Sequence, residues 1–397
     1  MLKRFMMILA IAAVLVASSA TDADADWKTK WSNGHKVESD DGAFALKFGG
    51  RIQADFTQAS GDDEIEGDLE DGFEFRRARL FFEGDIYERV SFKAQYDFAG
   101  GDASFKDVWI ALAAGPGDLQ FGHFKEPFSQ EELTSSKYLA FMERSLPVEA
   151  FSPSRNSGVG YSGKSGDRFN WGVGAFYDAD DFGISTDEDA INITGRLGFR
   201  PLYEDEGRRL LHLGVAATRK DIGDGATFRF RARPEAHFTT RFVNTGSFPA
   251  DSSTILGAEF SGVFDRFWFA SEYMQNDVDS SVAGDPTFDG FYAQAGFFLT
   301  PGDYRRFKTS SGAFDRQKPS SVWGMDEGGS GAWEIAARYS TVDLSDQGVN
   351  GGEQDNYTLG LNWYPNPATR LMINYVHADI QDLAEADFFM VRWQVDF

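Results

Sequence analysis

From Ala43 onward the chain alternates with a period of two. Phe169, Trp171, Val173, Ala175 and Tyr177 are interleaved with Asn170, Gly172 and Gly174, and Tyr357, Leu359, Leu361 and Trp363 with Thr358, Gly360 and Asn362. Ile191, Ile193, Leu197 and Phe199 alternate in the same way with Asn192, Thr194 and Arg196, and Trp333, Ile335, Ala337 and Tyr339 with Glu334, Arg338 and Ser340. A period of two sorts residues onto the two faces of a strand. Each predicted strand therefore has one apolar face with aromatics toward its ends and one small or polar face. A soluble sandwich and a barrel in lipid both satisfy that alternation, so the number and length of the segments decide. Sixteen strands with their connections take roughly 23 residues each, which suits strands of about 10 residues joined by short turns on one side and long loops on the other.

The connections do alternate in length. Gly84 to Arg89, Ala114 to Gly117, Asp265-Arg266 and Pro365 to Ala368 are short, whereas Thr57 to Gly72, Phe128 to Ser154 and Asp178 to Asp189 are long. The last strand carries Phe389, Val391, Trp393, Val395 and the terminal Phe397 on one face, an outer-membrane assembly signal. The chain has one period-two segment more than an even-stranded barrel allows. The segment to remove is Ala226 to Phe238, whose alternating set is Arg229, Arg231 and Arg233. Treating 219–253 as one outer loop leaves sixteen strands with both termini periplasmic. It also puts the long connection 301–331, with Arg305, Arg306, Lys308, Arg316 and Lys318, on the periplasmic side, from which it is expected to fold back toward the pore mouth. The expected fold class is all-β: a transmembrane antiparallel β-barrel of about 16 strands with loops folded into the lumen, 128–154 and 219–253 being the candidates.

The first 25 residues read as an address. Lys3 and Arg4 precede an apolar run from Phe5 to Ala17, followed by Ser18, Ser19, Ala20 and the small-residue Ala23-Asp24-Ala25. Such a run is too short for a helical span of roughly 20 residues and has the parts of a secretory signal. The expected divisions are a signal peptide over 1–25, a periplasmic lead-in over 26–42 and an outer-membrane barrel over 43–397. The leader holds two basic and two acidic residues (Lys3, Arg4, Asp22, Asp24), so its removal leaves the formal charge of -24 unchanged. That charge, from 38 Lys plus Arg against 62 Asp plus Glu, excludes a general affinity for nucleic acid. The absence of cysteine excludes disulfides and thiolate metal sites. No metal or cofactor site is expected.

The ordered motifs Phe48-Gly49-Gly50-Arg51-Ile52-Gln53-Ala54-Asp55, Phe75-Arg76-Arg77-Ala78, Gly122-His123-Phe124, Thr134-Ser135-Ser136-Lys137 and Glu143-Arg144 continue with Arg229, Arg231, Arg233, then Gly331-Ala332-Trp333-Glu334 and Leu361-Asn362-Trp363-Tyr364. Across almost the whole mature chain this series resembles the phosphate-selective porins of Gram-negative outer membranes. The resemblance implies a homotrimeric sixteen-stranded channel in which loops enter the lumen and rows of arginines lead small anions, phosphate or polyphosphate-like oxyanions, to a constriction. The chain departs from the family where constriction lysines trap phosphate: the aligned positions are Leu133 and Ser91, with Lys125 and Lys137 as the possible substitutes. A general diffusion pore without phosphate specificity is the corresponding alternative.

Arginines two apart on an extended segment lie on one face about 6.6 to 7 Å apart, so an anion leaving one is within reach of the next. Their forked guanidinium donors replace an oxyanion's hydration without trapping it at one point. Arg229, Arg231 and Arg233 form the clearest row, with Arg51, Arg76, Arg77, Arg144, Lys125 and Lys137 as further pore-lining candidates. Arg76 and Arg77 are neighbours, so only one of them faces the lumen unless the strand is bulged. The net negative charge resides largely in loops such as 62–71, which is expected to face lipopolysaccharide, and at physiological salt a screening length of about 8 Å leaves entry to the local lining.

Gly158, Gly163, Lys164 and Ser165 match a phosphate-binding loop pattern, but the strand-like Phe169 to Trp171 follows where a helix is required. A barrel enzyme of lipase type would have to draw on His212 or His377, because no H-E-x-x-H or G-x-S-x-G occurs. A secreted adhesion protein without a pore is the third class. The expectation taken forward is a passive anion channel and not an enzyme.

Overall fold

The computed structural model describes residues 27–32, 34–186, 190–221, 227–325 and 328–397; the leader expected over 1–25 lies outside the described residues. Sixteen antiparallel strands close into a barrel. The first eight are β1 (Phe44–Gly61), β2 (Gly72–Ile86), β3 (Val90–Asp97), β4 (Ser104–Ala114), β5 (Gly117–Lys125), β6 (Arg155–Ser165), β7 (Phe169–Tyr177) and β8 (Ile191–Glu204). The second eight are β9 (Arg209–Asp221), β10 (Ser252–Phe264), β11 (Phe267–Asp279), β12 (Thr287–Phe298), β13 (Ala332–Asp346), β14 (Val349–Asn366), β15 (Thr369–Ile380) and β16 (Ala384–Asp396). The seam pairs β16 with β1 from Asp396↔Arg51 to Ala386↔Gly61. The start of β1 extends beyond β16, and its edge is covered by a hairpin of Trp27–Trp31 and His35–Ser39 through His35↔Phe48 to Glu38↔Ala45. An open edge of unpaired backbone groups is thereby avoided.

The alternation reads out as lipid outside and polar groups inside. Ile193 and Leu197 of β8 and Leu359 of β14 are 59%, 62% and 60% exposed, while Thr194, Arg196, Thr358 and Asn362 are buried. A soluble sandwich would show the reverse. Aromatics collect at the ends of the apolar face, as the stacked pairs Phe169–Phe199 and Trp333–Trp363 at one end and the tilted pair Tyr339–Tyr357 at the other. Such girdles sit where rings with polar edges meet both hydrocarbon and headgroups.

The segment around Arg229 is not wall. Within the connection 222–251, Thr227–Phe228 pairs with Phe248–Pro249 and Arg231–Ala232 with Val243–Asn244 as two short ladders. Two constraints keep it out of the wall: three arginines on one face would each cost about 2 to 4 kcal/mol in lipid, and Pro234 lacks the ladder's N–H donor. On the periplasmic side the turns are short except for 299–331, and on the outer side the connections are long except for 347–348 and 381–383.

Because Leu359 occupies the middle of a lipid-facing row, Leu359→Arg is expected to lower stability by about 2 to 4 kcal/mol, measured as a shift in the guanidinium unfolding midpoint in phospholipid vesicles. An unmoved midpoint would show that this face does not meet hydrocarbon.

Candidate functional site: the pore lining

The connection between β5 and β6 crosses the lumen. It contains two short helices, α1 (Gln130–Leu133) and α2 (Leu146–Phe151). The Ser129 hydroxyl caps α1 by accepting from the Glu132 amide, and Pro147 opens α2 where no N–H is needed. The Glu272 carboxylate of β11 accepts from the amides of Gln130 and Glu131 at 3.0 and 2.7 Å. Glu131 lies 3.2 Å from Arg338 of β13, the Met142 amide donates to Asn374 of β15 at 2.8 Å, and Arg370 of β15 donates to the carbonyls of Leu139 and Ala140. The loop is therefore fastened to the wall strands on the far side of the barrel.

Its other fastening is Glu143. In β2 the register against β1 shifts so that Gln53 pairs with Arg77 and Ala54 with Phe75, leaving Arg76 as the extra residue of a bulge. The bulge reverses the parity of the strand. Before it Phe73 and Phe75 face outward; after it Arg77 and Arg79 are buried in the lumen. Both adjacent arginines consequently face inward. Arg76 donates Nε and Nη2 to Glu143 at 2.9 Å each, Arg392 of β16 donates to it at 2.7 Å, and Arg77 lies 3.6 Å away. Burial works to raise the Glu143 carboxyl, but these three arginines hold it well below the usual carboxylate range.

Three cavities that share lining residues follow the lumen. The outer one, about 460 Å³, is lined by Arg229, Arg231, Arg233 and Arg241 with Glu70 and Glu74. Arg233 and His237 also line a smaller cavity of about 240 Å³, where Arg76 and Arg144 stand beside Glu132, Glu143 and Glu149. Arg144 also lines an inner cavity of about 480 Å³, together with Arg51, Arg77, Arg79, Lys93, Lys125, Lys137, Arg155 and Lys308 and the acids Glu83, Asp107 and Asp315. All nine cationic residues singled out from the sequence line one of the three.

Their partners differ. Arg51 donates to the Ser136 hydroxyl at 2.9 Å, and Arg77 to the Gln53 side-chain amide oxygen at 2.9 Å. Arg229 donates to Asn244 at 2.9 Å, while Arg233 donates to the Thr239 carbonyl at 3.1 Å and stands 3.4 Å from Glu149. Lys125 and Arg144 share Glu132, at 3.0 and 2.7 Å, and Lys137 stands 3.5 Å from Asp396. Leu133, at the end of α1, borders the inner cavity, whereas Ser91 lines a pocket at the periplasmic rim.

Sequence reasoning missed Arg79, which pairs with Asp97 at 2.6 Å, and Arg155, which pairs with Asp107 at 2.8 Å. Arg79 continues the period-two series from Arg77 and was legible on that ground; Arg155 lies at a loop-to-strand junction with no such signal.

The long periplasmic connection rises into the barrel. Arg305 donates to the Tyr138 carbonyl and lies 3.7 Å from Glu334, the Gly312 carbonyl accepts from Gln130 at 3.3 Å, and the Phe314 amide donates to Thr134 at 3.2 Å. Arg316 pairs with Asp396. This segment supports the crossing loop from below and contributes Lys308 to the inner cavity.

The phosphate-loop pattern lies within β6, followed by β7. His212 is fully buried, 3.1 Å from Glu259 and packed on Phe307, and His377 pairs with Asp387 at 2.9 Å on a different strand.

Residues 46–397 match the family model described as phosphate-selective porin O and P. The chain belongs to that family. It is 32% identical over 374 residues to an uncharacterized protein of Caulobacter vibrioides, covering 91% of this chain and 74% of that one. It is 27% identical over 438 residues to Porin O of Pseudomonas aeruginosa, covering 98% of this chain and 97% of that one. Among solved structures, the trimer form of the outer-membrane protein OmpT of Vibrio cholerae matches with a TM-score of 0.55 at 12% identity, over 89% of this chain and 99% of that chain, which is a likeness of fold. The protein is an outer-membrane porin.

Two outcomes follow from the lining. Glu143→Gln is expected to cost about 3 kcal/mol, read from the guanidinium midpoint, and to raise the preference for anions in bilayer reversal potentials; if neither moves, Glu143 is not the clamp. Burial lowers Lys137 to about 7, with Asp396 opposing and Arg51, Arg316 and Lys93 acting in the same direction as burial. Its ammonium is thus present below that pH and lost above it. Sulfate, whose own charge is constant across this range, should block chloride current more tightly at pH 6 than at pH 8, and Lys137→Arg should flatten the difference. A pH-independent block in the unaltered protein would remove Lys137 from the binding path.

Proposed function

We propose that this porin passes small oxyanions, of phosphate or polyphosphate type, in preference to cations, and that it works as a homotrimer. The observation that carries the reading is the recurrence of arginine and lysine in each of the three cavities, from Arg229 through Arg233 and Arg144 to Lys308, although acids such as Glu74, Glu143 and Asp107 stand among them. An anion passes from one guanidinium to the next, each offering charge-assisted bonds, and the distribution of donors favours release as well as entry. The trimer form of the Vibrio cholerae neighbour supports the assembly. The acidic outer connection 62–71 is assigned to the lipopolysaccharide side.

Within this reading phosphate is bound loosely. Leu133 stands where a trapping lysine is expected, and Glu132 offsets both Lys125 and Arg144. A lost ammonium contact is worth roughly 1.5 to 3 kcal/mol, or about one to two orders of magnitude in affinity. The same neutralisation favours the second reading, general diffusion with a mild anion preference. The lipase reading has no support in the surroundings of His212, which is closed off under Phe307.

Reversal potential in a planar bilayer across a chloride gradient tests the proposal. The expected sign is that of anion preference, and replacing Arg229, Arg231 and Arg233 together by alanine should move it toward zero. A cation-preferring potential in the unaltered protein would overturn the reading, and an unmoved potential in the triple variant would remove the arginine row from it.

A further inference from the structure

Beside the inner cavity lies a side chamber of about 150 Å³ that no arginine row explains. One wall is apolar, formed by Phe124, Pro127 and Leu133, and its back is the β6 and β7 backbone at Gly160 and Gly172. Those glycines make it possible: a Cβ at Gly172 would fall 2.7 Å from the Pro127 ring, and one at Gly160 would fall 3.1 Å from the Phe124 ring. Two of the polar groups at its margin, the Arg196 guanidinium and the Asn170 side-chain oxygen, are already committed. Arg196 donates to Glu259 at 2.6 Å through both Nε and Nη2, and the Asn170 oxygen accepts from Arg200 at 2.6 Å. An apolar occupant therefore leaves those groups with the partners they already have.

Leu133, Lys125 and Ser311 border both this chamber and the cationic inner cavity. Resting on the anion-channel reading, we infer that the chamber receives the apolar part of a small organic anion whose charged head rests in the inner cavity, so that the porin prefers anions carrying a ring or branched carbon group over compact anions of the same charge. Apolar cavities of this size admit a benzene ring. Transfer of such a group from water beside Leu133 is favourable in proportion to the apolar area covered, while the head keeps its charge-assisted contacts. The lysine expected at position 133 would present an ammonium where this apolar wall stands.

The test compares two permanently charged monoanions, benzenesulfonate and methanesulfonate, as blockers of chloride current through the full-length porin in planar bilayers. Benzenesulfonate should half-block at a concentration roughly tenfold lower. Leu133→Lys, which places charge in the wall, and Ser162→Leu, which fills the chamber from β6, should each bring the two half-blocking concentrations together. Each ratio is taken within one variant, so the fraction of folded channel does not enter it. Equal block in the unaltered protein, or a tenfold preference surviving both substitutions, overturns the inference. Failure of both sulfonates to block together with a cation-preferring reversal potential overturns the anion-channel reading instead.

Discussion

One carboxylate among three arginines holds the interior together. Glu143 ties the crossing loop to β2 through Arg76 and Arg77 and to β16 through Arg392, while Arg392 also holds Asp55 of β1 at 2.6 Å. The contact thus joins the loop to both sides of the seam at which the barrel closes. An ion pair so buried is costly to form and costlier to break from one side, since removing the acid leaves three charges facing one another. Its position explains how a connection as long as 126–154 takes a single path across a lumen lined with charge.

The wall and its contents follow different rules, which is why they were not equally readable. Lipid outside and polar groups inside impose a period of two on Ile191 to Phe199 or Tyr357 to Trp363, and an even number of strands then identifies Ala226 to Phe238 as the segment to leave out. That reasoning depends only on neighbours in the chain. The crossing loop is positioned by contacts such as Glu131 with Arg338 and Met142 with Asn374, between residues far apart in sequence that no local pattern connects. The rise of 303–317 into the barrel is likewise set by Arg305, Gly312 and Phe314 meeting the loop. Arg76 and Arg77 stand between the two cases: parity alone separates them, and the bulge that unites them leaves no mark in residue type.

The cations that line the lumen's cavities come from three sources: wall strands supply Arg51, Arg77, Arg79 and Arg155; the outer connections supply Arg144, Arg229, Arg231 and Arg233; the periplasmic connection supplies Lys308. Each cation is offset to a different degree. Arg79 pairs with Asp97, Arg155 shares Asp107 with Lys93, Arg144 and Lys125 share Glu132, and Arg51 rests on a neutral hydroxyl. The acidic total of the chain is compatible with the proposed anion preference because acids that enter the lumen, such as Asp97, Asp107, Glu132 and Glu143, are paired with these side chains.

The bulge at Arg76 makes the length of β2 matter more than the identity of most of its residues. A substitution changes one contact, whereas loss of a single residue at the bulge would restore simple alternation and turn every side chain beyond it to the opposite face. Arg77, Arg79 and Glu83 would then meet hydrocarbon, and Ala78, Leu80 and Phe82 would enter the water-filled lumen. The spacing of residues along the strand, more than their individual identity, therefore decides which of them the lumen receives.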